Sequence, residues 1–203
     1  MTSSRVAKRV GVFGGTFDPI HKGHIAVAAA VREELDLDQV IFVVNFYQWL
    51  RENPPEASAI DRFKMAGLAV ENILEFSVSD VDILRESSTY TVDTLRDIRG
   101  QLDDSTELYL ILGADSAVSM DRWKSADRIG SLAKIVAVGR PGQPFDAATL
   151  DKSHPASGAE YVEGPMIDVS ATRVREFRAE GRPIGDLVAA TVIEYIEKRG
   201  LYR

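Results

Sequence analysis

Short apolar runs of strand length alternate with segments of helical period along the whole chain, and this alternation restricts the fold more than any other feature. Residues 9–13 (RVGVF), 39–44 (QVIFVV), 107–112 (ELYLIL) and 134–138 (KIVAV) read as strands, most of them apolar on both faces. Between them, the alanine-rich stretch 25–35, the stretch from Ser58 to about Leu74, residues 91–102 and the broken stretch 116–132 read as helices. Ser58 stands three before Asp61, a capping-box-like start. Residues 76–82 alternate like a half-exposed strand, and 160–163 and 166–169 are short strand candidates. Residues 170–179 and 186–199 read as closing helices, with Gly200 as a stop. Residues 45–57 and 140–158 contain prolines, lack a period and read as loops. Strand–helix alternation of this kind makes βαβ units. The expected fold is therefore α/β, a doubly wound, mainly parallel sheet with helices on both faces. No repeat or linker interrupts the pattern, so residues 1–203 are expected to form a single domain. Ligands in such sheets bind beyond the carboxyl ends of the strands, where the strand order switches. Residues just after 9–13, 39–44 and 107–112 are where function is to be sought.

Charge narrows the partners. Lys and Arg number 24 against 31 Asp and Glu, a net charge of −7, and such a field repels nucleic acid and anionic membranes. A phosphate site must then be a local arrangement of positive groups. The chain has no cysteine, which excludes a disulfide scaffold, a thiolate zinc site and thiol catalysis. No run approaches the ~18 apolar residues of a membrane span, and no apolar core follows the basic N-terminus. A soluble, cytoplasmic protein is the expectation.

After the first strand comes Gly14-Gly15-Thr16-Phe17-Asp18-Pro19-Ile20-His21-Lys22-Gly23-His24, leading into a helix. It matches neither G-x-G-x-x-G nor the Walker spacing. Paired glycines let backbone approach a ligand, and a helix N-terminus favours an anion. Two histidines three apart can face that anion together, and imidazolium donors suit charge growing on phosphate oxygens. Gly14, Gly15, Thr16 and Phe17 are accordingly candidates for holding a phosphate-bearing ligand. A protein metal site is not expected: H-E-x-x-H is absent and His154 lies alone in a proline-containing loop.

The stretch at 14–24 resembles the (H/T)-x-G-H nucleotidyltransferase superfamily, and GGTFDPIHKGH is similar to its bacterial nicotinate-mononucleotide adenylyltransferase branch. Residues 87–95 (SSTYTVDTL) resemble that family's S-Y-T-x-D-T-L segment. Residues 112–115 (LGAD), followed by Trp123, resemble its G-x-D…W block. Residues 169–175 (VSATRVR) resemble I-S-S-T-x-x-R, and 195–202 (YIEKRGLY) its C-terminal helix. These matches follow family order across nearly the whole chain. The resemblance implies a Rossmann-like fold and adenylyl transfer from ATP to nicotinate mononucleotide, giving nicotinate adenine dinucleotide and pyrophosphate in NAD biosynthesis. It implies that His21 and His24 hold the ATP phosphates and stabilise the pentavalent phosphorus. Arg175, with the backbone of Ser170 and Thr172, would grip the outer phosphates, and Gly113 and Asp115 would meet the adenosine ribose. Asp18, Arg51, Thr89, Tyr90, Thr91 and Trp123 would form the acceptor site, with Trp123 stacking on the pyridine. Mg²⁺ would be held mainly by ATP itself. Asp115 has helix capping as its other reading, Trp123 and Tyr90 core packing, and Arg175 a solvated helix face.

The chain departs from the pattern after the second strand. Where the family carries P-x-G-x-P-P-H-K, this chain has Val44-Asn-Phe-Tyr-Gln-Trp-Leu-Arg51, similar to an actinobacterial P-W-Q-K variant, with Trp49 and Arg51 in the tryptophan and lysine places. Ala171 replaces the second serine of S-S-T. Two alternatives therefore stand beside the first reading. One is transfer to another phosphate acceptor, such as nicotinamide mononucleotide; the shorter chains of the phosphopantetheine branch fit less well. The other is a non-catalytic, nucleotide-binding regulatory protein with a decayed acceptor loop. Whether the chain forms a homo-oligomer is open.

Overall fold

The computed structural model describes residues 8–46, 53–85, 87–139, 142 and 145–203. Six strands, β1 (Arg9–Gly15), β2 (Gln39–Val44), β3 (Phe76–Ser79), β4 (Glu107–Gly113), β5 (Lys134–Gly139) and β6 (Glu160–Glu163), form one sheet in the order β3-β2-β1-β4-β5-β6. Every pairing is parallel. The fold is the Rossmann-like α/β arrangement expected from the alternation. Its order reverses between β1 and β4, so the crevice beyond their carboxyl ends is the place for a ligand.

The apolar runs explain why the sheet is covered twice. Along β4, Tyr109 and Ile111 pack into one core with Phe42, Ala28, Val31 and Ile196. Leu108, Leu110 and Leu112, on the alternate face, pack into a second core with Val10, Leu95 and Ile129. A period of two with both phases apolar is a strand buried on both sides. The first core belongs to α1 (Lys22–Glu34), α2 (Ala59–Val70), α6 (Ala171–Ala179) and α7 (Ala190–Arg199). The second belongs to α3 (Val81–Leu84), α4 (Thr91–Arg99) and α5 (Ala114–Val118).

Ser58 caps α2 as expected, its hydroxyl accepting from the Asp61 N–H at 3.1 Å. Gly200 ends α7 at φ 64°, with the Leu201 N–H reaching back to the Ile196 carbonyl at 3.0 Å. Other expectations are corrected. Helix α2 stops at Val70, leaving Leu74 98 % exposed on a turn. β3 stops at Ser79 and the chain turns into α3, because the Asp82 carboxylate is drawn inward by the Thr94 hydroxyl at 2.7 Å. Residues 114–132 form α5 and two 3₁₀ turns, Met120–Arg122 and Ala126–Ser131, separated by Ser125 in a left-handed conformation at φ 51°. Residues 166–169 are not a strand; the Val169 N–H closes a tight turn on the Ile167 carbonyl at 2.9 Å. The final helix begins at Ala190, since the Val188 N–H is spent on a turn to the Ile184 carbonyl at 3.1 Å.

One buried cation gathers the loops that lead to the crevice. Arg62, 1 % exposed, donates to the carbonyls of Thr16 at 2.6 Å, Asn45 at 2.9 Å, Phe46 at 3.2 Å and Ala57 at 3.2 Å. Those four residues follow β1, follow β2 and precede α2. A guanidinium has five N–H donors in a rigid fork, which suits such a task better than an ammonium.

Candidate active site

The loop after β1 delivers two histidines to the start of α1. His21 is its N-cap, in extended conformation, and His24 stands three residues on. Their rings stack with centroids 3.6 Å apart and planes 19° apart. The His24 Nδ1 accepts from the His21 backbone N–H at 3.2 Å, which leaves the proton of a neutral ring on Nε2. Gly23 is required between them: a Cβ there would lie 2.8 Å from Val169 Cγ1 and 3.1 Å from the His21 ring. Phe17, in a left-handed conformation at φ 49°, sets its ring edge-on to His24 at 4.9 Å.

Burial controls the charge of this pair. It lowers His21 to about 4, and it holds His24 well below its usual value, with His21 adding a smaller like-charge effect. Burial thus favours the neutral form of both rings near pH 7. They offer N–H groups, and anionic phosphates brought alongside favour the charged form. The His21 Nδ1 is buried without a hydrogen-bond partner among the described residues.

The histidines line a cleft of about 550 Å³ between the ends of β1, β4 and β5 and the approach to α6. Gly113, Gly139, Asp168 and Ser170 lie on its other walls. Ser170 caps α6, its hydroxyl accepting from the Arg173 N–H at 3.2 Å. Thr172 and Asp115 are exposed, each two residues beyond a lining residue, Ser170 and Gly113, and neither lines the cleft itself; the N-cap of α5 is Gly113, so Asp115 is not a capping residue. Arg175 stands on α6, where its Nε donates to Glu56 Oε1 at 2.6 Å, Nη1 to the Asp18 carbonyl at 2.8 Å and Nη2 to Thr172 Oγ1 at 3.4 Å.

A smaller cavity of about 140 Å³ opens on the other side of the β1 loop. Gly14, Gly15, Thr89, Tyr90, Thr91 and Trp123 line it together, although they come from three distant stretches of sequence. Tyr90 is the N-cap of α4 and makes no side-chain cap bond there. The Thr89 hydroxyl accepts from the Phe46 N–H at 3.1 Å. Asp82 also faces the cavity, with its carboxyl pushed up by burial.

Several expected site residues are placed differently. Gly14 and Gly15 border the smaller cavity rather than the larger cleft. Phe17 is buried and props His24 from beneath, because a Cβ-free Gly15 leaves its ring room at 2.7 Å. Thr16 reaches neither cavity wall; its hydroxyl accepts from the Asn45 amide at 3.4 Å. Asp18, expected at the acceptor, is 2 % exposed and fully engaged. Its oxygens accept from the Glu56 N–H at 2.8 Å, the Ala57 N–H at 3.1 Å and the Tyr202 hydroxyl at 2.8 Å, so it is a structural carboxylate. Arg51 and Trp49 lie outside the described residues. Among the described residues no three His, Asp or Glu side chains come together as a metal site.

A model of the cytidylyltransferase-like family matches residues 12–177. A probable nicotinate-nucleotide adenylyltransferase of Mycolicibacterium vanbaalenii is 39 % identical over 202 residues, covering 98 % of this chain and 94 % of its own. This chain belongs to the nicotinate-nucleotide adenylyltransferase family. It is an enzyme, a nucleotidyltransferase. A family member of Dehalococcoides mccartyi is 38 % identical, covering 97 % of this chain and 98 % of its own. Among solved structures, the Plasmodium falciparum nicotinic acid mononucleotide adenylyltransferase complexed with NaAD superposes with a TM-score of 0.73. At 20 % identity, over 96 % of this chain and 97 % of that one, the likeness speaks to the fold.

Four residues of this family member's site were not singled out from sequence for the places they take: Glu56 against Arg175, Arg62 behind the loops, and Asp82 and Lys124 in the smaller cavity. Lys124 adjoins Trp123, and that adjacency was the available signal. The others carried none, since a buried cation and an inward carboxylate are visible only once the loops are folded.

Proposed function

We propose that the larger cleft takes ATP and the smaller cavity takes nicotinate mononucleotide, and that an oxygen of the acceptor's phosphate attacks the α-phosphorus of ATP. The bond from that phosphorus to the bridging oxygen of the β-phosphate breaks, and pyrophosphate leaves. The product is nicotinate adenine dinucleotide. The chain is an adenylyltransferase of NAD biosynthesis. The attacking oxygen is already anionic at neutral pH, so neither a protein nucleophile nor a strong base is needed; the enzyme aligns the reactants and meets developing charge.

The stacked histidine pair at the N-terminus of α1 is the observation that carries this reading. Its N–H groups border the cleft at the switch point, and the aromatic-walled cavity lies across a loop only a few residues long. His21 and His24 would stabilise the pentavalent phosphorus, and Arg175, with the start of α6, would hold the outer phosphates once Glu56 yields it. Gly113 would flank the adenosine, with the exposed Asp115 reaching its ribose. Trp123 would stack on the pyridine while Thr89, Tyr90 and Thr91 meet its substituent. Mg²⁺ would arrive as the ATP complex, since magnesium keeps waters and phosphate oxygens and needs few protein ligands. A cytoplasmic setting, where ATP is at hand, fits this chemistry; among the described residues no helix is long and apolar enough to cross a membrane.

A pyrophosphate-release assay with ATP and a panel of acceptor phosphates tests the reading. Release with nicotinate mononucleotide is the expected result. ATP binding without release for any acceptor would overturn it in favour of a regulatory nucleotide-binding protein.

A further inference from the structure

The two charged side chains among the described residues that line the smaller cavity, Asp82 and Lys124, differ in how they are held. Asp82 is taken up by protein partners, accepting from Thr94 Oγ1 at 2.7 Å and Arg85 Nη1 at 2.9 Å. Arg85 is in turn divided between Asp82 and Asp97, so that cation is spent. Lys124 is the other case. Its side chain is 49 % exposed, yet its ammonium sits 4.0 Å from the centroid of the Tyr90 ring and 3.2 Å from Asp93 Oδ2. Both supports belong to the start of α4, whereas Lys124 itself follows Trp123. A lysine normally loses much rotamer freedom when it engages a ligand. Here the ring face and one carboxylate have already fixed the ammonium beside the cavity. An ammonium carries three N–H donors, and Asp93 occupies one side of it.

We propose that Lys124 is a specificity-determining residue of the acceptor site: its ammonium is the counter-charge for an anionic substituent on the acceptor's ring, and so favours a pyridine carboxylate over a carboxamide. The inference rests on the acceptor reading above and deepens it. Trp123 stacks on either ring with little discrimination, because stacking senses the ring more than its substituent. A fixed cation does discriminate, since it attracts the carboxylate and offers a neutral amide only a weaker contact with its oxygen. Asp93 is then a positioning residue, holding the ammonium over Tyr90.

The test compares kcat/KM for nicotinate and nicotinamide mononucleotides in the parent, Lys124→Gln and Lys124→Arg. Lys124→Gln is expected to lower the acid-to-amide ratio by about tenfold, the scale of one charge-assisted contact, through a higher KM for the acid. Lys124→Arg keeps the charge and should hold the ratio within about threefold of the parent. Raising the salt concentration should erode the parent's ratio and leave that of Lys124→Gln flat, because the contact is half-exposed and screened. An unchanged ratio in Lys124→Gln overturns the proposal. So does an equal loss with both acceptors, which would mean that the ammonium meets the 5′-phosphate they share. A parent that releases no pyrophosphate with either acceptor fails at the step before, removing the acceptor reading and this inference with it.

Discussion

The larger cleft beside the histidines and the smaller cavity beside Tyr90 share the β1 loop, but they supply charge to a ligand in opposite ways. In the larger cleft the donors His21 and His24 are desolvated and stacked, and burial favours their neutral form. In the smaller cavity Lys124 is half-exposed, charged and already paired with Asp93 across the Tyr90 ring. The difference fits what each would hold on the proposed reading. A triphosphate brings several charges, enough to draw protons onto buried imidazoles. A single ring substituent brings one charge or none, and a standing cation tells those cases apart.

The largest expected effect lies on the cleft side. His24→Ala should lower kcat by about 10²–10³, the scale of losing one preorganised donor to a developing charge. Thermal melting should fall modestly and the fold should survive, since the change removes the Nδ1 bond to the His21 N–H and the ring contacts with His21 and Phe17 but no part of the two apolar cores. Single-turnover formation of the dinucleotide measures it. A near-parental rate in a normally melting variant would remove the histidines from the chemistry.

The next effect concerns stability and also belongs to the cleft. His21 titrates near 4 when folded and near 6.5 when unfolded, so the unfolded chain binds more protons between those values. Stability contributed by this group is therefore complete above about pH 6.5 and is lost as pH falls towards 4. Between about pH 7 and pH 4 the parent should lose roughly 3 kcal/mol more than His21→Gln in urea unfolding. Parallel curves for the two proteins would mean that the ring is not desolvated.

The smallest effect lies in the cavity. Trp123→Ala should weaken both acceptors alike, by about two- to tenfold, the worth of one aromatic stack. Kinetics with the acid and amide acceptors would check it. A selective loss of the acid would assign discrimination to Trp123 and take it from Lys124.

These two regions were also unequally legible in the sequence. The strand runs, the histidine loop and the Ser58 cap could be read because each is local: a period of two, a glycine pair before a helix, a hydroxyl at the helix start. A mainly parallel sheet followed from the alternation, and every pairing observed is parallel. The places of Asp18 and Arg62 could not be read, because their partners, Tyr202 for the one and Thr16, Asn45 and Ala57 for the other, are brought near only by the finished fold. Neutrality of the histidine pair was equally hidden, since stacking and burial depend on Phe17 and Val169 closing around it. The breaks in residues 116–132 could not be placed from sequence, because Met120, Ala126 and Ile129 reach the core through separate turns.

A crystal structure with a non-hydrolysable ATP analogue and nicotinate mononucleotide tests the division of labour most directly. The expected result places phosphate oxygens of the analogue within about 3 Å of an imidazole nitrogen of His21 or His24. Its adenosine should lie along Gly113, with the pyridine on Trp123. An analogue seated between Tyr90 and Trp123, or one whose phosphates stand away from both histidines, would contradict the account.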